Sequence, residues 1–267
     1  MAERVWSVDS IALTLDLDWA PDFAIDFVAE RLIIRQVRAT WFVTHLSPAI
    51  ERLRRYPELF ELGIHPNFLP GSTHGDTPEA VLRHCVALVP EATSMRTHAL
   101  FQSSPLLEQI VIQTAITTDV SLFLPYMPSL MPVEYQWRGR TLLRIPFYWE
   151  DCFEMGRTVP SWHLSPLLAA GKGLKVFSFH PVHVYLNSSE IEIYRALKKH
   201  IYRQSEVTQA EMNSYVQTGK GARMLFMELI EHITSDVRHQ SICMRDIYTR
   251  WQEEKMGPRI NPERSGA

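Results

Sequence analysis

The chain has 267 residues, of which 46% are hydrophobic and 21% charged, a balance typical of a globular protein with a sizeable core. Its formal net charge of −3 gives no excess of positive potential for neutralising a phosphate backbone, so we do not expect nucleic acid to be a partner. It has neither a signal-peptide pattern nor an apolar run of about eighteen residues, so we expect a cytoplasmic protein with no transmembrane segment.

Short β-rich runs alternate with amphipathic segments in the first two thirds of the chain. The predicted strands cover residues 11–18, 39–43, 60–64, 94–97, 118–123, 141–147 and 174–179. Between the first strands, three segments carry apolar residues at three-to-four spacing and are predicted as helices, with Ser47 and Thr77 as candidate N-caps: 21–36, 47–56 and 78–89. This alternation indicates parallel strands joined by crossover helices.

The strand count predicts an α/β fold, an irregular (β/α)7-type barrel of parallel strands with a C-terminal helical extension. A doubly wound open sheet has the same local signature and is the alternative. After residue 190 the strand signals stop and the pattern becomes helical. We therefore predict a barrel over 1–189, a helical extension over 190–256 that packs on the barrel or forms a homodimer surface, and a disordered tail over 257–267.

Two aspartates, Asp16 and Asp18, end the first predicted strand. Side chains two residues apart share one face of a strand, so both carboxylates are expected on the same side near its carboxyl end. Two close carboxylates repel each other, which raises one pKa unless a cation lies nearby. The pair therefore indicates a reactive or cation-binding position, and the alternative is that Asp18 only caps the next helix.

Histidines follow the third and fourth predicted strands. His65 comes directly after FELGI, and His74 lies in the Gly/Pro/Ser-rich loop that follows and can fold back towards it. Together with Asp18, two imidazoles suit one divalent transition-metal ion, zinc first, with cobalt, nickel and iron as alternatives. His98, after the fourth strand, is the rival of His74 as the third ligand.

Three other strand ends carry ionisable side chains. Arg96 in SMRTHAL is suited to a bidentate contact with a carboxylate. His180 in KVFSFHPVH continues the last strand and is a candidate proton donor. Glu150 and Asp151 follow the sixth strand, where they are placed to orient His180 or to face a ligand. Ionisable side chains at five strand ends indicate an active site.

The cysteines indicate no further site. Cys85, Cys152 and Cys243 are far apart and odd in number, so they predict neither a disulfide framework nor a thiolate zinc site. Free thiols, mostly buried, are the expected state.

In chain order, these motifs resemble those of the polysaccharide deacetylases of the NodB-homology group, carbohydrate esterase family 4, over about residues 11–187. LTLDLDWAPD is similar to the family's first motif, ELGIHPNF to its metal-histidine motif, MRTHAL to its arginine motif and FSFHPVH to its last motif. The resemblance implies a metal-dependent hydrolase in which Asp16 is the base and Asp18 a metal ligand. It also implies that Arg96 braces Asp16 and that His180 is the general acid.

The chain departs from the family in the histidine motif. The family usually spaces its two metal histidines four residues apart, and Leu69 occupies that position here. We therefore choose His74 as the third ligand, ahead of His98. The remaining candidates are assigned to substrate contacts or to support of the catalytic groups: Trp19, His98, Glu150, Asp151 and His183.

The resemblance implies removal of an acetyl or formyl group from the nitrogen of an amino sugar. Since no export signal is visible, the expected substrate is a nucleotide-linked or lipid-linked precursor in O-antigen or capsule assembly. The alternatives are a cyclic ureide or imide hydrolase on the same scaffold and a non-catalytic carbohydrate-binding relative. A D-x-D phosphohydrolase is disfavoured because Ala20 replaces the threonine of that motif.

Overall fold

A computed structural model describes residues 10–169, 173–200, 206–236 and 240–256, so the predicted tail over 257–267 lies outside the described residues. The strands are β1 Ser10–Asp16, β2 Ala39–Val43, β3 Phe60–Ile64, β4 Ser94–Met95, β5 Thr118–Phe123, β6 Val133–Trp137, β7 Arg140–Phe147, β8 Trp149–Glu150, β9 Lys175–Phe179 and β10 Gln240–Ile242. The α-helices are α1 Asp22–Ile34, α2 Pro48–Leu53, α3 Pro78–Leu88, α4 Ser104–Gln113, α5 Asp151–Met155, α6 Leu164–Ala169, α7 Pro181–Leu186, α8 Ile191–His200, α9 Gln209–Asn213, α10 Ala222–Ser235 and α11 Met244–Met256.

The strands form one sheet in the order β6-β7-β5-β4-β3-β2-β1-β9-β8, with β10 beside β1. All pairings are parallel except β6 with β7. Only Tyr148 separates β7 from β8. Its N–H donates to the carbonyl of Val176 in β9 (2.8 Å), and its carbonyl accepts from the N–H of Tyr126 beyond β5 (3.1 Å). This run joins β5 to β9, so the parallel strands form a ring and the predicted (β/α)7-type barrel is confirmed.

The apolar runs explain why the central strands are parallel. Every residue of β2, β3 and β9 is buried, as expected for strands covered on both faces. Helix α1 buries Ile25, Val28 and Leu32 against this layer, positions spaced by three to four residues. The side chain of Thr77 accepts from the N–H of Ala80, so its predicted cap is confirmed. Ser47 precedes α2 but makes no capping hydrogen bond.

Three strands were not predicted from the sequence: β6, β8 and β10. β6 forms a hairpin with β7 through Arg138 and Gly139, both at positive φ (47° and 77°), the backbone that a two-residue hairpin turn requires. The prediction that no strand follows residue 190 is wrong, because β10 pairs with Ser10, Ile11 and Ala12 of β1. Three residues are too few to show an alternating pattern. No helix in the described ranges is long and apolar enough to cross a membrane.

Candidate active site

Arg96, directly after β4, fixes the carboxylate of Asp16 at the end of β1. The guanidinium is fully buried, and its Nη1 donates to Asp16 Oδ1 (2.8 Å) and to Ser178 Oγ (2.7 Å). Nη2 donates to Thr14 Oγ1 (3.0 Å) and Nε to the carbonyl of Val120 (3.0 Å). The arginine is thus held by four hydrogen bonds, and Oδ2 of Asp16 receives no hydrogen bond from the guanidinium.

Two of these partners, Thr14 and Ser178, were not singled out in the sequence. Each precedes a site residue, Asp16 or His180, by two positions and therefore lies on the same face of its strand. That alternation is the signal by which the sequence could have identified them.

A tight turn places Asp18 above the barrel. β1 ends two residues earlier, so the prediction that Asp18 continues the strand is wrong. Asp18 and Trp19 have positive φ angles of 44° and 57°, and the N–H of Trp19 donates to Thr44 Oγ1 (3.0 Å). Left-handed backbone is uncommon outside glycine and concentrates at functional sites. The turn directs the carboxylate across the mouth of the barrel.

Asp18, His65 and His98 form a group of potential metal ligands. Asp18 Oδ1 lies 3.0 Å from both His65 Nε2 and His98 Nδ1, and the two nitrogens are 3.4 Å apart. The Nδ1–H of His65 donates to the carbonyl of Arg96 (2.7 Å), which leaves the Nε2 lone pair for an ion. Metal-bound histidines commonly have such a partner on the other nitrogen. One carboxylate oxygen and two imidazole nitrogens fit a divalent transition-metal ion.

Backbone contacts bring His98 to this position. Its N–H donates to the carbonyl of Pro66 (2.9 Å), which joins the loop after β4 to the loop after β3. Ala99 and Leu100 then turn the chain away with positive φ angles of 52° and 54°. Neither the hydrogen bond to Pro66 nor the turn at Ala99 and Leu100 has a local sequence signature.

The electrostatics of the group keep Asp18 ionised. Burial raises the pKa of Asp18, but its contacts with His65 and His98 and the charges of His98 and His180 outweigh burial and hold the pKa well below its usual value. Burial lowers the pKa of His98, and the hydrogen bond and charge of Asp18 outweigh this and raise it. An ionised carboxylate therefore stands at the centre of the group.

His74 is not brought to this group. Its Nε2–H donates to the carbonyl of Thr44 (2.8 Å), and its Nδ1 accepts from the N–H of Asn67 (3.1 Å). Burial lowers the pKa of His74 to about 4, which keeps the ring neutral. Its ring also packs against Trp19, with centroids 5.3 Å apart. Both nitrogens are engaged with backbone groups, so the geometry gives His74 the role of bracing its loop.

His180 faces Asp18 from the end of β9. Its Nε2 lies 3.7 Å from Asp18 Oδ2, and its Nδ1–H donates to Asp151 Oδ1 (2.6 Å). Asp151 Oδ2 also accepts the backbone N–H of His180 (2.8 Å). Burial lowers the pKa of His180, but the Cys152 sulfur and the Asp151 carboxylate outweigh it and hold the pKa well above its usual value. The ring is therefore available as a charged proton donor.

Three other predicted residues surround these groups. Glu150 lies within 4.8 Å of ligand atoms of Asp16 and His180, and burial raises its pKa to about 7. His183 is buried, which lowers its pKa to about 4. Trp19 contacts His98 edge to face at 5.4 Å between ring centroids, so it borders the opening.

One family model matches most of the chain. A family model described as WbmS-like polysaccharide deacetylase matches residues 13–198. A structure from Bordetella bronchiseptica, assigned as a polysaccharide deacetylase involved in O-antigen biosynthesis (WbmS), is 27% identical, with a TM-score of 0.72 over 85% of this chain and 91% of that chain. The peptidoglycan deacetylase PdaC from Bacillus subtilis is 14% identical, with a TM-score of 0.43 over 92% and 95% of the two chains. No curated protein matches.

Proposed function

Because the chain belongs to the WbmS-like polysaccharide deacetylase family, we propose that it is a metal-dependent hydrolase that removes an acetyl or formyl group from an amino-sugar precursor of a surface polysaccharide. The observation that carries the proposal is the convergence of three kinds of group at one mouth of the barrel. These are a braced carboxylate, a set of three potential metal ligands and a charged imidazole. A carbohydrate-binding relative would need none of this chemistry.

Asp18, His65 and His98 are the proposed ligands of one divalent ion, with zinc as the first choice. Three protein ligands leave coordination positions open to solvent and substrate, as in catalytic zinc sites. A bound ion would supply a Lewis acid for the amide carbonyl and would lower the pKa of water. Placing His98 in this set instead of His74 follows from the partners of their ring nitrogens.

Asp16 and His180 are the proposed proton-transfer groups. Asp16 Oδ2, which accepts no hydrogen bond from Arg96, accepts a proton from the attacking water as general base. His180 then delivers the proton on Nε2 to the departing amine. The hydrogen bond from Nδ1 to Asp151 holds the ring in this orientation and stabilises its charge.

Exposed apolar side chains favour a lipid-linked substrate over a nucleotide-linked one. Five of them follow the carboxyl ends of β3, β4, β5 and β8, the face where the site opens: Leu69, Phe101, Leu124, Met127 and Phe153. Apolar side chains that gather around a site provide contact area for an apolar ligand. Both carriers join the sugar through a diphosphate, so the feature that favours the lipid carrier is the apolar contact area, which suits a polyprenyl chain.

Release of free amine from N-acetylated amino sugars tests the proposal. The sugar is offered as a polyprenyl-diphosphate conjugate and as a nucleoside-diphosphate conjugate, before and after chelation and zinc restoration. Release should stop with chelation and return with zinc, and Asp16→Asn and His180→Gln should each lower kcat about 10²-fold to 10⁴-fold. Hydrolysis of cyclic imides in place of these sugars, or full activity in Asp16→Asn, would reject the proposal.

A further inference from the structure

A second set of metal-ligating side chains lies at the other ring nitrogen of His180. Cys152, in the first turn of α5, has its Sγ 3.6 Å from His180 Nδ1 and 3.4 Å from His183 Nε2. The donor atoms of these three residues all lie within 4.8 Å of one another. Of the proposed catalytic groups and metal ligands described above, this group contains only His180.

The distances match a tetrahedral zinc site. With zinc–sulfur and zinc–nitrogen bonds of about 2.3 and 2.05 Å, a sulfur and a nitrogen ligand are about 3.6 Å apart. The remaining nitrogen of His183, Nδ1, lies 3.2 Å from Ser188 Oγ, the kind of contact that orients a ligating histidine.

We propose that Cys152, His180 and His183 bind a second transition-metal ion of the zinc type, and that this ion inhibits hydrolysis. One thiolate and two imidazoles select a soft or borderline ion over magnesium or calcium. Binding releases the thiol proton of Cys152 and the Nδ1 proton of His180 to the solvent. The ion then replaces Asp151 as the partner of Nδ1. Cys152 is partly exposed, which gives the ion a route from the surface.

The inhibition follows from the role of His180 and therefore rests on the proposed function. A general acid needs the charged imidazolium, with a proton on each nitrogen. With an ion on Nδ1 the ring is a neutral ligand, and its Nε2–H is a much weaker acid. The departing amine would then leave without a proton.

Cobalt titration tests the binding without any substrate. Metal-free wild type, Cys152→Ser and Cys85→Ser are titrated with Co²⁺, and the near-ultraviolet absorption of a cobalt–thiolate bond is followed. Cys85 is the matched control because its sulfur lies 3.3 Å from one histidine nitrogen, that of His74. The wild type and Cys85→Ser should show the band and Cys152→Ser should lack it. A band that persists in Cys152→Ser, or no band in the wild type, would overturn the site.

The inhibitory effect is measured separately. Excess Zn²⁺ should lower the rate of amine release at least tenfold in the wild type and much less in Cys152→Ser and His183→Gln. Equal inhibition of all three proteins would refute the regulatory half of the proposal. If no preparation hydrolyses any sugar, the proposed function fails while the cobalt band still decides whether the second site exists.

Discussion

The contact between Arg96 and Asp16 is the most buried ion pair of the site, with side-chain exposures of 0% and 4%. Removing one member of a buried pair leaves the other charge without compensation. We expect Arg96→Met to lower the free energy of unfolding by about 3–5 kcal/mol in urea denaturation.

The control for this substitution is Arg52→Met, because Arg52 pairs with Asp26 at the surface. Exposed ion pairs contribute at most about 1 kcal/mol. Equal losses of stability in the two variants would show that Arg96 has no special structural role.

Asp151 sets the proton affinity of His180. Replacing Asp151 with Asn removes a negative charge beside the ring and so lowers the pKa of His180, which stands well above its usual value in the wild type. A general acid loses activity as the pH rises through its pKa. The alkaline limb of the kcat/KM profile should therefore move to lower pH in Asp151→Asn, whereas Glu150→Gln should leave that limb closer to its wild-type position. An unchanged alkaline limb in Asp151→Asn would remove Asp151 from this role.

Most residues of the candidate site could be expected to lie together because each of them follows the end of a predicted strand. Asp18 and His65 lie beside buried strands, and the barrel rule brings such positions together. The third proposed metal ligand could not be predicted in this way. Membership of one loop favoured His74, whereas the hydrogen bond from the N–H of His98 to Pro66 spans two loops and groups His98 with Asp18 and His65.

At the scale of elements, the side chain of Glu61 connects the C-terminal part of the chain to the barrel. Its carboxylate accepts from Ser94 Oγ (2.6 Å) and from the N–H of Arg245 in α11 (2.8 Å). Thr40 Oγ1 accepts from the N–H of Met244 (3.0 Å). Residues of β2 and β3 thus satisfy the free N–H groups at the start of α11.

Loss of this carboxylate should loosen the C-terminal segment. Glu61→Ala leaves three donors without their acceptor, the hydroxyls of Thr40 and Ser94 and the N–H of Arg245, which costs about 2–4 kcal/mol of unfolding free energy. Hydrogen exchange in β10 and α11 should accelerate, and the exposed Glu58→Ala should change neither quantity. Unchanged exchange in Glu61→Ala would contradict this anchoring.

Longer elements could be predicted better than short ones. Helix α3 has a Pro start, a Thr cap and apolar residues on one face, so the sequence defines it locally. β10 has three residues and β8 two, and they become strands only because β1 and β9 offer edges for pairing. Their formation depends on tertiary contacts that no short window contains.

At the scale of the whole molecule, the barrel determines where chemistry can occur. Parallel strands in a ring bring all their carboxyl ends to one mouth, so residues from β1, β3, β4 and β9 meet there although they are far apart in sequence. This arrangement could be predicted from the alternation of strands and helices along the chain. The closure of the ring at Tyr148 could not be predicted, because the sequence does not indicate that this residue bonds to two different strands.

The most direct test of the metal centre is the zinc content of His98→Ala and His74→Ala, prepared with Cys152→Ser so that the second proposed site is absent. The matched pair removes one imidazole from each of two neighbouring loops. We expect His74→Ala to retain about one ion per chain and His98→Ala to lose it together with amine release. An ion that is kept in His98→Ala and lost in His74→Ala would contradict the assignment of Asp18, His65 and His98 as the catalytic ligands.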